Sequence, residues 1–163
     1  MSVYKLTYHP NDLLRTELDQ VTLKKLASSD MQKLIDNMIE TMYAKNGIGI
    51  AANQVGYNHQ IAIISTADGP QVIVNPTISR KSILKENGEE GCLSVPGVFG
   101  MVKRFKGIVL RGYDRTGKNI VIKAKGMHAR VIQHEVDHLN GTLCIDRMTR
   151  ITQGKMPDGR KEV

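Results

Sequence analysis

The stretch Gln133-His134-Glu135-Val136-Asp137-His138-Leu139 constrains this chain more than any other. On an α-helix, residues four apart sit about 40° apart around the axis and about 6 Å apart along it. His134 and His138 therefore share one face, where two imidazoles suit one metal ion, and Glu135 stands beside them. A metal held this way usually performs hydrolysis, because its bound water becomes a strong nucleophile near neutral pH. A helix with two surface histidines is the bland alternative. The apolar frame around the motif favours the metal, and such a site needs a third ligand and a substrate pocket from elsewhere in the chain.

With 163 residues the chain suffices for one domain with a real core. Residues 1–148 are expected to form a single catalytic domain. The segment 149–163, with two glycines, a proline and little apolar pattern, is expected to be a loosely ordered tail. No apolar run approaches a membrane span, and Met1–Pro10 has no signal-peptide core, so a cytoplasmic protein without a membrane partner is expected. The formal charge of +7 would suit a polyanion, but the basic residues are dispersed and aromatics few, so no direct nucleic-acid specificity is expected. Cys92 and Cys144 are the only cysteines, too few for a disulfide framework.

Asn11-Asp12 can start a short helix at Leu13-Leu14-Arg15. Ser28, Ser29 and Asp30 offer N-caps for a longer helix with Met31, Leu34, Ile35, Met38, Ile39 and Met42 on one face, ending near Asn46-Gly47. Gln60–Thr66 and Gln71–Val74 read as strands around Ala67-Asp68-Gly69-Pro70; Asn75-Pro76 interrupts, and Ile78–Leu84 reads as another strand. Gly107–Tyr113 and Asn119–Lys125 flank Asp114-Arg115-Thr116-Gly117 as a hairpin, after which Gly126 opens the last helix with Met127, Val131 and Leu139 on its apolar side. The order predicts an α+β fold, with mixed or antiparallel sheets packed around a C-terminal metal-binding helix.

In Glu89-Glu90-Gly91-Cys92-Leu93-Ser94-Val95-Pro96, Gly91 and Pro96 frame a cysteine whose sulfur can project from a constrained backbone. Taken alone, such a cysteine is more often a core residue. With His134 and His138 it gives one thiolate and two imidazoles, leaving a fourth tetrahedral position open, which is a catalytic arrangement. Gly47-Ile48-Gly49-Ile50-Ala51-Ala52-Asn53-Gln54 is no dinucleotide fingerprint; its two glycines suggest close backbone approach to something, or a simple helix-to-sheet connection.

These three segments, in this order and spacing, resemble the peptide deformylases, metal-dependent amidases that remove the N-formyl group from nascent chains. The resemblance covers roughly residues 1–148. It implies metal ligation by Cys92, His134 and His138, with one Fe2+ in the cell and Zn2+, Ni2+ or Co2+ as possible substitutes. It implies that Glu135 moves the proton, while the Gln54 amide and the Leu93 backbone N–H bind the oxyanion. Ile48, Gly49, Gly91 and Val131 are then expected to contact substrate, an N-formylmethionyl nascent peptide. Glu90 and Arg104 are expected to support the cysteine loop as an ion pair.

Gly88 and Phe99 stand where many bacterial members of the family carry a bulkier apolar residue and a basic residue. Arg130 stands where some are apolar, so the shape of the pocket is open. Many bacterial members end in a basic helix that docks on the ribosome; Thr149–Val163 does not read as one, which leaves that partner open. Two other readings stand beside this one. A zincin-like metallopeptidase shares H-E-x-x-H but draws its third ligand from downstream, where this chain has no histidine. A basic RNA-associated protein with a structural zinc would use Cys144 as fourth ligand, and nothing in it requires Gln54 or Glu135.

Overall fold

A computed structural model describes residues 2–157. Helix α1 (Leu23–Leu26) is short, and α2 (Ser29–Ala44) follows it; the Ser28 hydroxyl caps α2 by accepting from the Met31 N–H. Strands β1 (Gly49–Ala51), β2 (Ile61–Thr66) and β3 (Gly69–Lys81) come next. Then come β4 (Lys85–Cys92), β5 (Val95–Phe105), β6 (Gly107–Tyr113) and β7 (Asn119–Lys125). Helix α3 (Gly126–Leu139) and strand β8 (Met148–Gln153) complete the described chain. One sheet has the order β1-β2-β3-β6-β7 and the other β4-β5-β8. Every pairing between named strands is antiparallel, in keeping with the α+β expectation.

The larger sheet is buried on both faces at its centre, which explains the unbroken apolar runs of β2 and β3. Ile61, Ile63, Val72 and Val74 join a core with Met31, Leu34, Ile35, Met38 and Met42 of α2. Their neighbours Ile64 and Ile73 join Leu110, Ile122 and the α3 residues Ala129, Val131 and Ile132. Helix α3 is thus pressed on the sheet by one stripe while its next turn carries the histidines. A third core, of Leu14, Val95, Val98, Val102, Leu143, Cys144, Ile145 and Met148, lies by the smaller sheet.

Several boundaries differ from the sequence reading. Asn75-Pro76 does not end a strand: β3 runs through it with a register shift between Val74 and Thr77. Asn75 takes a positive φ of 49°, and its side chain accepts from the Val21 N–H and donates to the Val21 carbonyl, both within 2.9 Å. Met127 is exposed rather than part of the apolar side of α3. The expected loose tail is corrected at its start: Met148–Gln153 pairs with β5, with Gly100 opposite Ile151 and Met101 opposite Arg150. Thr149 donates its hydroxyl to the Met101 carbonyl and Thr152 donates to Glu89, so short polar side chains stitch this strand where an apolar pattern is missing. Positions 158–163 of that tail lie outside the described residues.

Two measurements check this packing. Ile63→Ala, at a fully buried position, is expected to lower stability by about 2–5 kcal/mol in urea unfolding. The backbone amides of Arg150 and Ile151 are expected to exchange with deuterium more slowly than those of Gly154 and Lys155; equal, fast exchange across 149–155 would restore the loose tail.

Candidate active site

Helix α3 presents His134, Glu135 and His138, and the end of β4 brings Cys92 to them. One ligand atom from each of Cys92, His134 and His138 lies within 4.8 Å of the others. Cys92 Sγ is 3.1 Å from His138 Nε2, a few tenths shorter than the roughly 3.5 Å that tetrahedral metal–sulfur and metal–nitrogen bonds set. His134 directs Nδ1 at Glu90 Oε2, 3.1 Å away, which leaves its Nε2 for the metal. One soft sulfur and two imidazole nitrogens at this spacing fit a divalent transition metal. Cys144 is not part of this ligand group among the described residues; it sits in the third core behind Cys92.

The sulfur is prepared as a ligand. A hydrogen bond from the Cys144 thiol holds Cys92 well below the usual thiol value; burial opposes this, and the His138 charge adds to it. Only a thiolate binds a metal well, so this is the direction a ligand needs.

Glu90 is the hub beneath the ligands. Arg104 grips it with two parallel hydrogen bonds of 2.9 Å, and Arg130 adds a third at 2.8 Å. Arg104 also bonds Asp137, which Arg147 holds from the other side at 2.6 and 2.7 Å. Burial pushes the Glu90 carboxyl up, but the hydrogen bonds from Arg104 and His134 overcome it and hold the group at about 2. The expected Glu90–Arg104 pair is present and is part of this larger network, which sequence reasoning missed at Arg130, Asp137 and Arg147. Asp137 lies one helical turn from His134, and that spacing is the signal that could have found it.

The glycine-rich segment supplies the opposite wall. Gln54 Oε1 accepts from the Ala51 N–H at 2.8 Å. Its Nε2 is thereby turned towards Cys92 Sγ at 3.6 Å and Ser94 Oγ at 3.3 Å. Asn53 donates to the His138 carbonyl at 2.7 Å, tying this segment to the last turn of α3. A Cβ on Gly49 would stand 2.9 Å from the Glu135 carboxyl carbon, so Gly49 is needed to seat Glu135 itself. Gly91 has a similar reason: a Cβ there would stand 2.5 Å from the Phe99 ring.

Glu135 is buried, and its Oε2 has no hydrogen-bond partner among the described residues. Burial raises its pKa above the usual carboxylate value, with the His134 and His138 charges pulling it back. A cleft of about 630 Å³ opens over these groups. Ile48, Gly49, Gln54, Glu90, Gly91, Cys92, Leu93, Val131, His134 and Glu135 all line it, whereas Arg104 and His138 stand behind that wall. Leu6, Tyr8 and Met127 line it too and were not expected there; Phe99 and Arg130, the departures that left the pocket's shape open, are also in its wall.

A metal-binding group beside a buried carboxylate with a free oxygen, at the end of an open cleft, defines a metal-dependent hydrolase. The comparison with known proteins is more specific. The polypeptide deformylase family model matches residues 3–154. A peptide deformylase of Thermodesulfovibrio yellowstonii is 42% identical over 156 residues, covering 91% of each chain. The crystal structure of peptide deformylase from Thermotoga maritima superposes with a TM-score of 0.87 at 37% identity, covering 91% of this chain and 99% of that one. A Met-Ala-Ser-bound class I type b peptide deformylase from Acinetobacter baumannii gives 0.86 at 34% identity, covering 91% and 100%. The chain belongs to the polypeptide deformylase family.

Glu90→Gln is expected to weaken zinc or cobalt affinity by about 10–100-fold, since it removes the partner that orients His134. In chelator-treated protein, the Glu90 carboxylate, held at about 2 against 4.5, contributes stability that is full above 4.5 and lost as pH falls towards 2. Urea midpoints measured over that window are therefore expected to fall less steeply with acid in Glu90→Gln than in the wild type.

Proposed function

We propose that the chain removes the formyl group from the N-terminal methionine of nascent polypeptides, releasing formate and a free amine. One observation carries this reading. Gln54, Ser94 and His138, which surround the Cys92 sulfur, are each at most 2% exposed and form a closed wall beside it. With the acyl side of the bond against that wall, a group as small as formyl suits it, and the amine side lies in the cleft. A peptide bond inside a chain needs room on both sides. The tripeptide in the Acinetobacter structure is what formyl-Met-Ala-Ser would leave after losing its formyl group.

In this reading Cys92, His134 and His138 hold the metal, which supplies a Lewis acid that acidifies water and polarises the formyl carbonyl. Glu135, with its free carboxylate oxygen, accepts a proton from the attacking water and delivers it to the departing amine. The Gln54 amide, its oxygen already committed to Ala51, donates to the oxygen that becomes negative, and the Leu93 backbone N–H does the same. Strand β1 is an edge strand whose only named neighbour is β2, so a peptide can add along its other side with Ile48 and Gly49 against it. Ile48 and Val131 offer apolar surface to the methionine side chain, and Gly91 lets the peptide pass close to the cysteine strand. In this reading the resident ion is Fe2+, as the family resemblance implies, and donors of this kind also suit Zn2+, Ni2+ or Co2+.

Glu135→Ala is expected to retain metal yet lose about three or more orders of magnitude in formate release from formyl-Met-Ala-Ser. Near-normal turnover in that variant would remove Glu135 from the mechanism, and cleavage of an unformylated protein would favour a zincin-like peptidase. Anaerobic preparations are expected to contain iron and to lose activity in air. Oxygen-indifferent activity with stoichiometric zinc would overturn the iron assignment.

A further inference from the structure

Arg130 stands one turn before His134 on α3, is 5% exposed, and lines the cleft. An arginine so placed is costly to bury unless its charge and donors are met. Its NH1 donates to Glu90 Oε1 at 2.8 Å, to the Val102 carbonyl at 2.9 Å and, at the long limit of 3.4 Å, to the Gly88 carbonyl. Its NH2 donates to the Glu86 carbonyl at 3.0 Å. A guanidinium has five N–H groups, and these bonds leave the Nε–H and one NH2 hydrogen without an acceptor among the described residues. The absence of a side chain at Gly88 makes the space: a Cβ there would lie 2.6 Å from Arg130 Cζ and 2.8 Å from Nε. Gly88 and Arg130 are therefore one feature, a cation seated against bare backbone in a cleft wall whose other members include Ile48, Val131, Met127 and Phe99.

We infer that Arg130 is a specificity-determining residue for the first side chain of the substrate. This rests on the reading that the cleft binds a formyl peptide. The unused N–H donors select a side chain with a hydrogen-bond acceptor at its δ position. The methionine thioether sulfur is a weak acceptor, and the oxygen of methionine sulfoxide is a strong one. The all-carbon isostere norleucine leaves the donors of a buried cation unmet, and that mismatch is what a polar pocket rejects. The preferred substrate class is thus formyl peptides beginning with methionine or its sulfoxide, with norleucine disfavoured despite its equal size.

The test compares kcat/KM for formyl-Met-Ala-Ser and its methionine-sulfoxide and norleucine counterparts, using one batch of metal-loaded enzyme. Ratios within one batch cancel differences in metal loading and folded fraction. In the wild type the sulfoxide peptide is expected to exceed the norleucine peptide by about tenfold or more, as a charge-assisted hydrogen bond implies. Arg130→Leu is expected to bring that ratio to about one or below. Gly88→Ala combined with Arg130→Leu refills part of the lost volume and serves if the single variant does not fold. A wild-type ratio near one, or a ratio that Arg130→Leu leaves unchanged, overturns the assignment while leaving deformylation intact. No formate from any of the three peptides with loaded wild type would instead sink the functional reading itself.

Discussion

The buried carboxylate of Glu90 is the contact on which the site depends. It receives two hydrogen bonds from Arg104, one from Arg130 and one from the His134 ring. Each partner comes from a different place: Arg104 from β5, Arg130 and His134 from successive turns of α3, and Glu90 itself from β4, two residues before Cys92. Taking one carboxylate out of water costs several kcal/mol, and leaving it unpaired there costs more than any one bond returns. The two elements that carry metal ligands are therefore held in register by a charge that is tolerated only when all its partners are in place. A loose arrangement of β4 against α3 would strand it.

The same constraint explains the glycines. Gly49 lies where a side chain would collide with Glu135, and Gly88 where one would collide with Arg130. In both cases a buried charged group on α3 is seated against the bare backbone of a strand. Helix α3 crosses the site with charged groups at Arg130, Glu135 and Asp137, all buried. Such a helix can be buried only where the surrounding strands supply partners or space. The β1 segment supplies space, the β4 segment both.

Much of this was legible from residue patterns, and the failures have a common cause. The hairpin β6–β7 and the start of α3 came out at their observed ends, because alternation and Gly126 mark them directly. The site trio was legible because each ligand sits in a short segment whose spacing has a chemical meaning. Strands β4 and β8 were not. Lys85–Cys92 is rich in glutamate and glycine, residues disfavoured in strands. What makes it a strand is pairing with β5 along its whole length and the arginines that meet its carboxylate and carbonyls. Met148–Gln153 likewise borrows order from its partner. Tertiary contacts decided both, and no window of sequence contains them. Arg130 was visible only as a departure from an apolar pattern; that Gly88 answers it required the two to be seen touching.

That pairing joins chemistry to specificity more closely than a pocket residue normally would. Arg130 and His134 bond different oxygens of one carboxylate, Oε1 and Oε2. Withdrawing the guanidinium removes positive charge from Glu90, makes the carboxylate a stronger acceptor for the His134 N–H, and so makes that imidazole a more electron-rich ligand. A ligand that enlists the free donors of Arg130 draws on the same charge from the other side. Arg130 and His134 are thus separated by only two hydrogen bonds, both through Glu90. A pocket walled only by Ile48 and Val131 would sort side chains by size alone and leave the metal unaffected. With a cation in its wall, the pocket sorts by polarity, and what fills it bears on the electronic state of the site that cleaves it.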